Sequence, residues 1–252
     1  MTGWTWAAAS CRGTSHDKTG TRLQDAFACC SPSSGIPVVA MVSDGAGTAE
    51  LGGQGASLVC RSLTIRARQH FLNTLNLPSD EEITTWYDEI RDLIGAIALR
   101  RSRELRDFAA TSVCVISTGT ETVVAHVGDG CAVLRDDVLG AWIAPSWPHQ
   151  GEFASTTYFV TDQDSLQLRI SRYPAPIGAI AVFSDGIERL ALNFATRAPS
   201  QQFFDGIISP VVASVARGRD RLLSRMLKEF LGSEKVNART DDDKSLVIAV
   251  KK

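Results

Sequence analysis

The chain has 252 residues, 44% hydrophobic and 21% charged, with a formal net charge of -2, an ordinary globular composition. That balance excludes the basic footprint of a nucleic-acid binder, and the longest apolar runs, 36–42 and 177–183, are strand-length and too short to cross a bilayer. Six scattered cysteines (Cys11, Cys29, Cys30, Cys60, Cys114, Cys131) lack CxxC spacing, so they read as reduced, buried residues of a cytoplasmic protein and not as a zinc site.

Trp4 to Cys11 predicts a first strand, and no basic stretch followed by a long apolar run marks a signal peptide. Gly13 to Gly20 reads as a polar loop, and Gln24 to Cys30 as a second strand. Ser31 to Gly35 is a hairpin-like connection with Pro32 and Gly35 as breakers. Val38 to Ser43 is a β-branched apolar run, a buried strand that stops at Asp44-Gly45-Ala46-Gly47. Asp25 and Asp44 are therefore expected to face one another across neighbouring strands.

After Gly52-Gly53 the period becomes helical, with Ala56, Val59, Leu63 and Ala67 on one stripe. Ser79 followed by Glu82 is a capping-box signature, and it opens a helix expected to run to about Asp107. Thr111 to Ser117, Thr122 to Val127, Cys131 to Arg135 and Ala141 to Ala144 read as strands of an antiparallel meander. Asp129 lies in the tight turn Gly128-Asp129-Gly130 and reads equally as a turn residue or a ligand. Pro145 to Pro176 is expected to be an excursion beside a site.

Ile180 to Phe183 is again a buried run, ending in Ser184-Asp185-Gly186, the same tripeptide as Ser43-Asp44-Gly45. Two helices, about 200–216 and 219–231, precede a last strand from Ser245 to Val250, which Asp241-Asp242-Asp243 introduces. Asp-Gly after a strand is also the commonest hairpin signal. Three carboxylate groups at three strand mouths can converge on one point, however, and Mg²⁺ or Mn²⁺ needs a few such oxygens with water in the remaining positions. The four histidines offer no ligand spacing. His70 reads as helix surface, His126 as strand packing, and the tryptophans as packing residues. The Arg100-Arg101-Ser102-Arg103 run reads as a solvated helix face.

Taken together, Gln24-Asp25-Ala26, Ser43-Asp44-Gly45-Ala46-Gly47, Ala110-Thr111-Ser112, Val127-Gly128-Asp129-Gly130, Phe183-Ser184-Asp185-Gly186 and Asp242-Asp243-Lys244-Ser245 resemble the metal-dependent (type 2C) protein serine/threonine phosphatases. The resemblance runs from about residue 8 to 250. The opening Gly13-Thr14-Ser15-His16 and the stretch Gly151-Glu152-Phe153-Ala154-Ser155-Thr156-Thr157-Tyr158-Phe159 are similar to a bacterial branch. It implies an α+β fold, a four-layer α-β-β-α sandwich of two antiparallel sheets flanked by helix pairs, over one domain spanning 1–252. It also implies two Mn²⁺ or Mg²⁺ ions: Asp44 bridging, the Gly45 carbonyl on the second, and Asp185 and Asp242 on the first. Asp129 matches a ligand of a third ion, and Asp25 a residue acting through water.

The implied activity is hydrolysis of phosphoserine and phosphothreonine by a metal-activated water. The implied partners are phosphorylated proteins that a bacterial Ser/Thr kinase modifies, met by a monomer without nucleic acid or membrane. Three positions depart from the pattern. Gln24 stands where the family often has Glu, Gly20 at the position of a phosphate-holding arginine, and Ala46 where animal members have a histidine acid. Gln24 and the missing arginine at Gly20 support an alternative expectation, a non-catalytic regulatory or binding module on the same fold.

Overall fold

A computed structural model describes residues 3–32, 35, 37–74, 76–149, 157–162 and 165–252. In chain order the N-terminal half holds β1 (Trp4–Cys11), α1 (Thr14–Thr19), β2 (Ala26–Cys30), β3 (Val38–Ser43), α2 (Gly52–Asn73) and α3 (Asp80–Arg100). A 3-10 turn (Leu105–Phe108) leads to β4 (Ser112–Ser117), β5 (Thr122–Val127), β6 (Cys131–Asp136) and β7 (Ala141–Ser146). Then come β8 (Arg169–Tyr173), β9 (Ile177–Phe183), a second 3-10 turn (Asp185–Ile187), α4 (Glu188–Ala191) and the short pair β10 (Leu192–Asn193) and β11 (Ala198–Pro199). The chain closes with α5 (Gln201–Ala213), β12 (Gly218–Arg219), α6 (Arg221–Leu231), α7 (Glu234–Asn237) and β13 (Lys244–Lys251).

The strands form two main sheets, β12-β1-β13-β9-β6-β7 and β2-β3-β4-β5-β8, antiparallel except for the β1–β12 pair. Their side chains alternate strictly. In β13, Val247 and Ala249 join Trp4, Trp6, Val38, Ala40, Val113 and Val182 between the sheets. Leu246, Ile248 and Val250 face the other way and pack with Phe204 and Val211 of α5 and Leu227 and Leu231 of α6. On the far side, Val39 and Met41 of β3 meet Val59 and Leu63 of α2 and Ile83, Tyr87 and Ile90 of α3. The result is a four-layer α-β-β-α sandwich with apolar alternation sorting each strand residue to one of two interfaces.

Several expectations need correction. The segment around β4 to β7 is not a meander. β5 pairs with β4 and β8 in one sheet, whereas β6 pairs with β7 and β9 in the other. Gly128-Asp129-Gly130 is the crossing between sheets, made possible by Gly128 at φ +101.

The third helix stops at Arg100 and not near Asp107. Ser102 takes φ +54, and the N–H of Arg103 closes back on the Ala98 carbonyl. Leu105 and the buried Phe108 return to the same apolar cluster from the 3-10 turn, which is why the periodicity looked continuous. The polar loop 13–20 contains α1, and the polar stretch before Ile170 ends in edge strand β8. His70 is not a surface residue: its ring packs edge-on against Phe71 and Trp86. The expected capping box is present, with Ser79 and Glu82 each accepting from the other's backbone N–H. Part of the 31–35 connection and residues 151–156 of the family-like stretch lie outside the described residues.

Candidate metal centre

The sheet registers bring the acidic residues to one edge. Ala26 pairs with Ser43, which sets Asp25 opposite Asp44. Phe183 pairs with both Leu246 and Cys131, so Asp185, Asp129 and the 241–243 run emerge together at the same end of the other sheet. Carboxylate oxygens of Asp44, Asp129 and Asp185 all lie within 4.8 Å of one another. The Asp25 and Asp44 carboxyl groups are close enough that each perturbs the other. Asp242 is exposed at the rim, and its charge reaches Asp44, Asp129 and Asp185.

The backbone here is held tightly. Asp44 is gripped from both sides of its peptide: its N–H donates to Thr111 Oγ1 at 3.0 Å, and its carbonyl accepts from Thr111 N–H at 2.8 Å. Ser184 Oγ donates to Asp25 at 2.7 Å while accepting from Ser245 N–H at 2.9 Å, which ties β9, β13 and the start of β2 together. Two motif glycines permit contacts no side chain would allow. A Cβ on Gly45 would lie 2.2 Å from the Gly52 carbonyl carbon, and one on Gly186 would lie 1.8 Å from the Asp243 carbonyl oxygen.

The electrostatics are those of an acidic cluster of mutually repelling carboxyl groups. Burial, and then the charges of Asp25, Asp185 and Asp242, push the Asp44 carboxyl well above the usual range. Asp185 is raised likewise, by burial and then by Asp129, Asp242 and Asp25. Burial lifts Asp25 to about 6. One oxygen each of Asp25 and Asp129 is buried without a hydrogen-bond partner. Unpartnered carboxylate oxygens within a few ångströms of each other are what a divalent cation satisfies, and they are costly otherwise. All-oxygen donors suit Mg²⁺ or Mn²⁺, so the residues present fit the implied metals.

Asp243, Glu188 and Thr157 also belong to the site, beyond the residues to which the sequence points. Asp243, within the Asp242-Asp243-Lys244-Ser245 motif, is 1% exposed and accepts from Gly13 N–H at 2.7 Å and Gln24 N–H at 2.6 Å. His16 Nδ1 lies 3.0 Å from the same carboxylate, so His16 packs behind the site and not in it. Glu188 stands one helical turn after Asp185, with a buried, unpartnered oxygen; burial, then the Asp129 charge, raises its carboxyl. The i, i+3 spacing from Asp185 was its only signal. Thr157 donates to Asp129, and Val160 N–H to the Ala110 carbonyl at 2.8 Å, so described parts of the 145–176 excursion are fastened to the site.

Comparison with known proteins bears on the family and the fold. A family profile described as "Protein phosphatase 2C" matches residues 12–232. Serine/threonine-protein phosphatase 3 of Escherichia coli K12 is 34% identical over 255 residues, covering 98% of each chain. Among solved structures, PppA of Pseudomonas aeruginosa, a regulatory component of T6SS, superposes with a TM-score of 0.66 at 16% identity over the whole of both chains. The catalytic domain of the serine/threonine phosphatase PstP, solved with two manganese ions, superposes at 0.65 and 16% identity, over 100% of this chain and 99% of that one. With the profile spanning most of the sequence and a full-length relative above 30% identity, the chain belongs to the protein phosphatase 2C family.

Proposed function

We propose that the chain is an active Mn²⁺- or Mg²⁺-dependent phosphatase of phosphoserine and phosphothreonine in proteins. The observation that carries this reading is the convergence of Asp44, Asp129 and Asp185 within 4.8 Å at one sheet edge. Asp44, the Gly45 carbonyl, Asp185 and Asp242 would hold two ions, and Asp129 a third. Bound there, the ions supply an activated water and neutralise phosphoryl charge. The chain's own part is positional: Thr111 fixes Asp44, and the Ser184–Asp25 hydrogen bond orients Asp25 against it. Ala46 offers no proton at the position of the animal histidine, so the leaving alkoxide takes its proton from water.

The same reading takes 1–252 as one phosphatase-type domain acting as a cytoplasmic monomer on proteins modified by a bacterial Ser/Thr kinase. Among the described residues no helix is long and apolar enough to cross a membrane. The second reading, a binding module, draws on Gln24, a buried neutral amide, and on Gly20, which caps α1 at φ +73 and has no cation to offer.

Phosphate release from a phosphothreonine peptide, with Mn²⁺ titrated in after chelation, separates the two. Release that disappears in Asp44→Asn supports the enzyme. Silence at every Mn²⁺ concentration, with metal binding still seen by calorimetry, supports the module.

A further inference from the structure

Beside the acidic edge lies a cavity of about 520 Å³ between the loop before β2, the start of α2 and the end of α3. Its apolar lining includes Leu51, Leu58 and Ile97, and three arginines, Arg22, Arg61 and Arg101, line it as well. These arginines come from three separate segments and are all exposed. Among the described residues none pairs with a carboxylate: Arg61 donates to the Ser57 carbonyl of its own helix, and Arg101 to the Gln54 side chain at 2.5 Å. Glu50, the one acidic residue lining the cavity, is already bound to Arg103 at 2.6 Å. Three guanidinium groups around an apolar lining, without internal compensation, form a concave anion receptor.

Gln24 is the wall that this cavity shares with the acidic edge. It lines the cavity, its carbonyl accepts from Gly45 N–H at 3.2 Å, and its side-chain amide lies 3.4 Å from the Ala46 carbonyl. Asp25 follows Gln24 directly, and Asp44 immediately precedes Gly45. A peptide whose phosphorylated residue sits at the carboxylate cluster would carry its neighbouring residues past Arg22, Arg61 and Arg101.

We infer that this cavity is a substrate-docking site for acidic residues flanking the phosphorylated one, recognised by Arg22, Arg61 and Arg101. The inference rests on the phosphatase reading for what is docked, and it adds a preference for the flanking sequence. It also changes the standing of Arg101. What reads in sequence as part of a solvated basic run lines, in the fold, the same cavity as Arg22 and Arg61.

Two phosphothreonine peptides of equal length, one with Asp and Glu in the flanks and one with Gln, test it. The wild type should favour the acidic peptide by about tenfold in kcat/KM at low salt, mainly through KM. The double reversal Arg61→Glu with Arg101→Glu should abolish or invert that ratio, and ~1 M NaCl should erase it in the wild type. Fluorescence anisotropy of the labelled peptides on Asp44→Asn, with circular dichroism to verify folding, reads docking without turnover.

Equal kcat/KM for the two peptides, or a ratio that the double reversal leaves unmoved, would overturn the inference while leaving the phosphatase reading in place. Arginine-dependent tighter binding of the acidic peptide with no phosphate released from either would do the converse.

Discussion

The Asp243 carboxylate accepts a 2.6 Å hydrogen bond from the backbone N–H of Gln24, joining positions 219 residues apart at the mouth of the acidic site. Its other oxygen accepts from Gly13 N–H at 2.7 Å, so one buried side chain closes two loops onto the start of β13. Asp242, its neighbour, is exposed and shares none of these contacts. Adjacent aspartates are thus expected to separate cleanly by mutation.

Asp243→Ala leaves two buried N–H groups without acceptors and is expected to cost about 2–4 kcal/mol of stability. Asp243→Asn keeps one acceptor oxygen and should lose roughly half of that. Asp242→Ala removes only the acceptor of the Asp243 N–H and should cost about 1 kcal/mol or less while greatly weakening Mn²⁺ binding. Urea denaturation with calorimetric Mn²⁺ titration distinguishes them; equal destabilisation by the two alanine variants would refute the division of labour.

The second prediction concerns Asp44 and Asp185, whose carboxyl groups are raised first by burial and then by neighbouring acids. In the metal-free protein each is a source of repulsion. Asp44→Asn and Asp185→Asn should therefore raise the Tm measured in chelator by a few degrees, since about 1 kcal/mol moves a chain of this size by roughly 2–4 °C. The same variants should lose almost all phosphate release and the stabilisation by added Mn²⁺. A metal-free Tm that falls in both variants would show these carboxylates to be structural.

A pH dependence follows with a definite sign. Burial lifts the Asp25 carboxyl to about 6, against roughly 3.9 in an unfolded chain. Between those values the folded state holds a proton that the unfolded state has released, so metal-free stability falls as pH rises through that window. Asp44 and Asp185, raised well above the usual range, extend the same trend to higher pH. In chelator, Tm should rise as pH is lowered from 8 to 5. With Mn²⁺ the trend should reverse, because binding displaces those protons. A metal-free Tm that is flat or climbs with pH would remove the basis for this assignment.

Much of the fold and the site was legible because it is written locally. The repeated Ser-Asp-Gly at the ends of β3 and β9, the Ser79 capping box and the alternation of β13 each follow from short-range rules. The crossing at Gly128-Asp129-Gly130 was not, because a turn between paired strands and a step between sheets use the same residues; only the partners of β5 and β6 differ, and they lie far away in sequence. Edge strand β8 escaped for a related reason: in Arg169-Ile170-Ser171-Arg172-Tyr173 the exposed Arg172 shares a face with Ile170, so no apolar alternation shows, and the segment is strand only because β5 pairs with it. The roles of Asp243 and Glu188 depend on where the chain returns, to which composition and period are blind.

Gln24 is held at the site by its side-chain amide. Its side-chain nitrogen lies 3.3 and 3.4 Å from the Ala49 and Ala46 carbonyls, while its oxygen is buried without a partner. Gln24→Glu would remove both donors and place another negative charge beside Asp25 and Asp44. The metal-free protein should therefore lose about 1–3 kcal/mol, from two carbonyls that keep only their backbone donors and from added repulsion. A bound cation would be attracted by the same charge. The Mn²⁺ midpoint, read by calorimetry and by phosphate release, should fall about tenfold, equivalent to ~1.4 kcal/mol. Metal-free and metal-loaded stability would thus move in opposite directions from a single substitution. A purely structural amide gives only the first of these effects, so an unchanged Mn²⁺ midpoint in a destabilised Gln24→Glu would assign Gln24 to the loop and not to the metal centre.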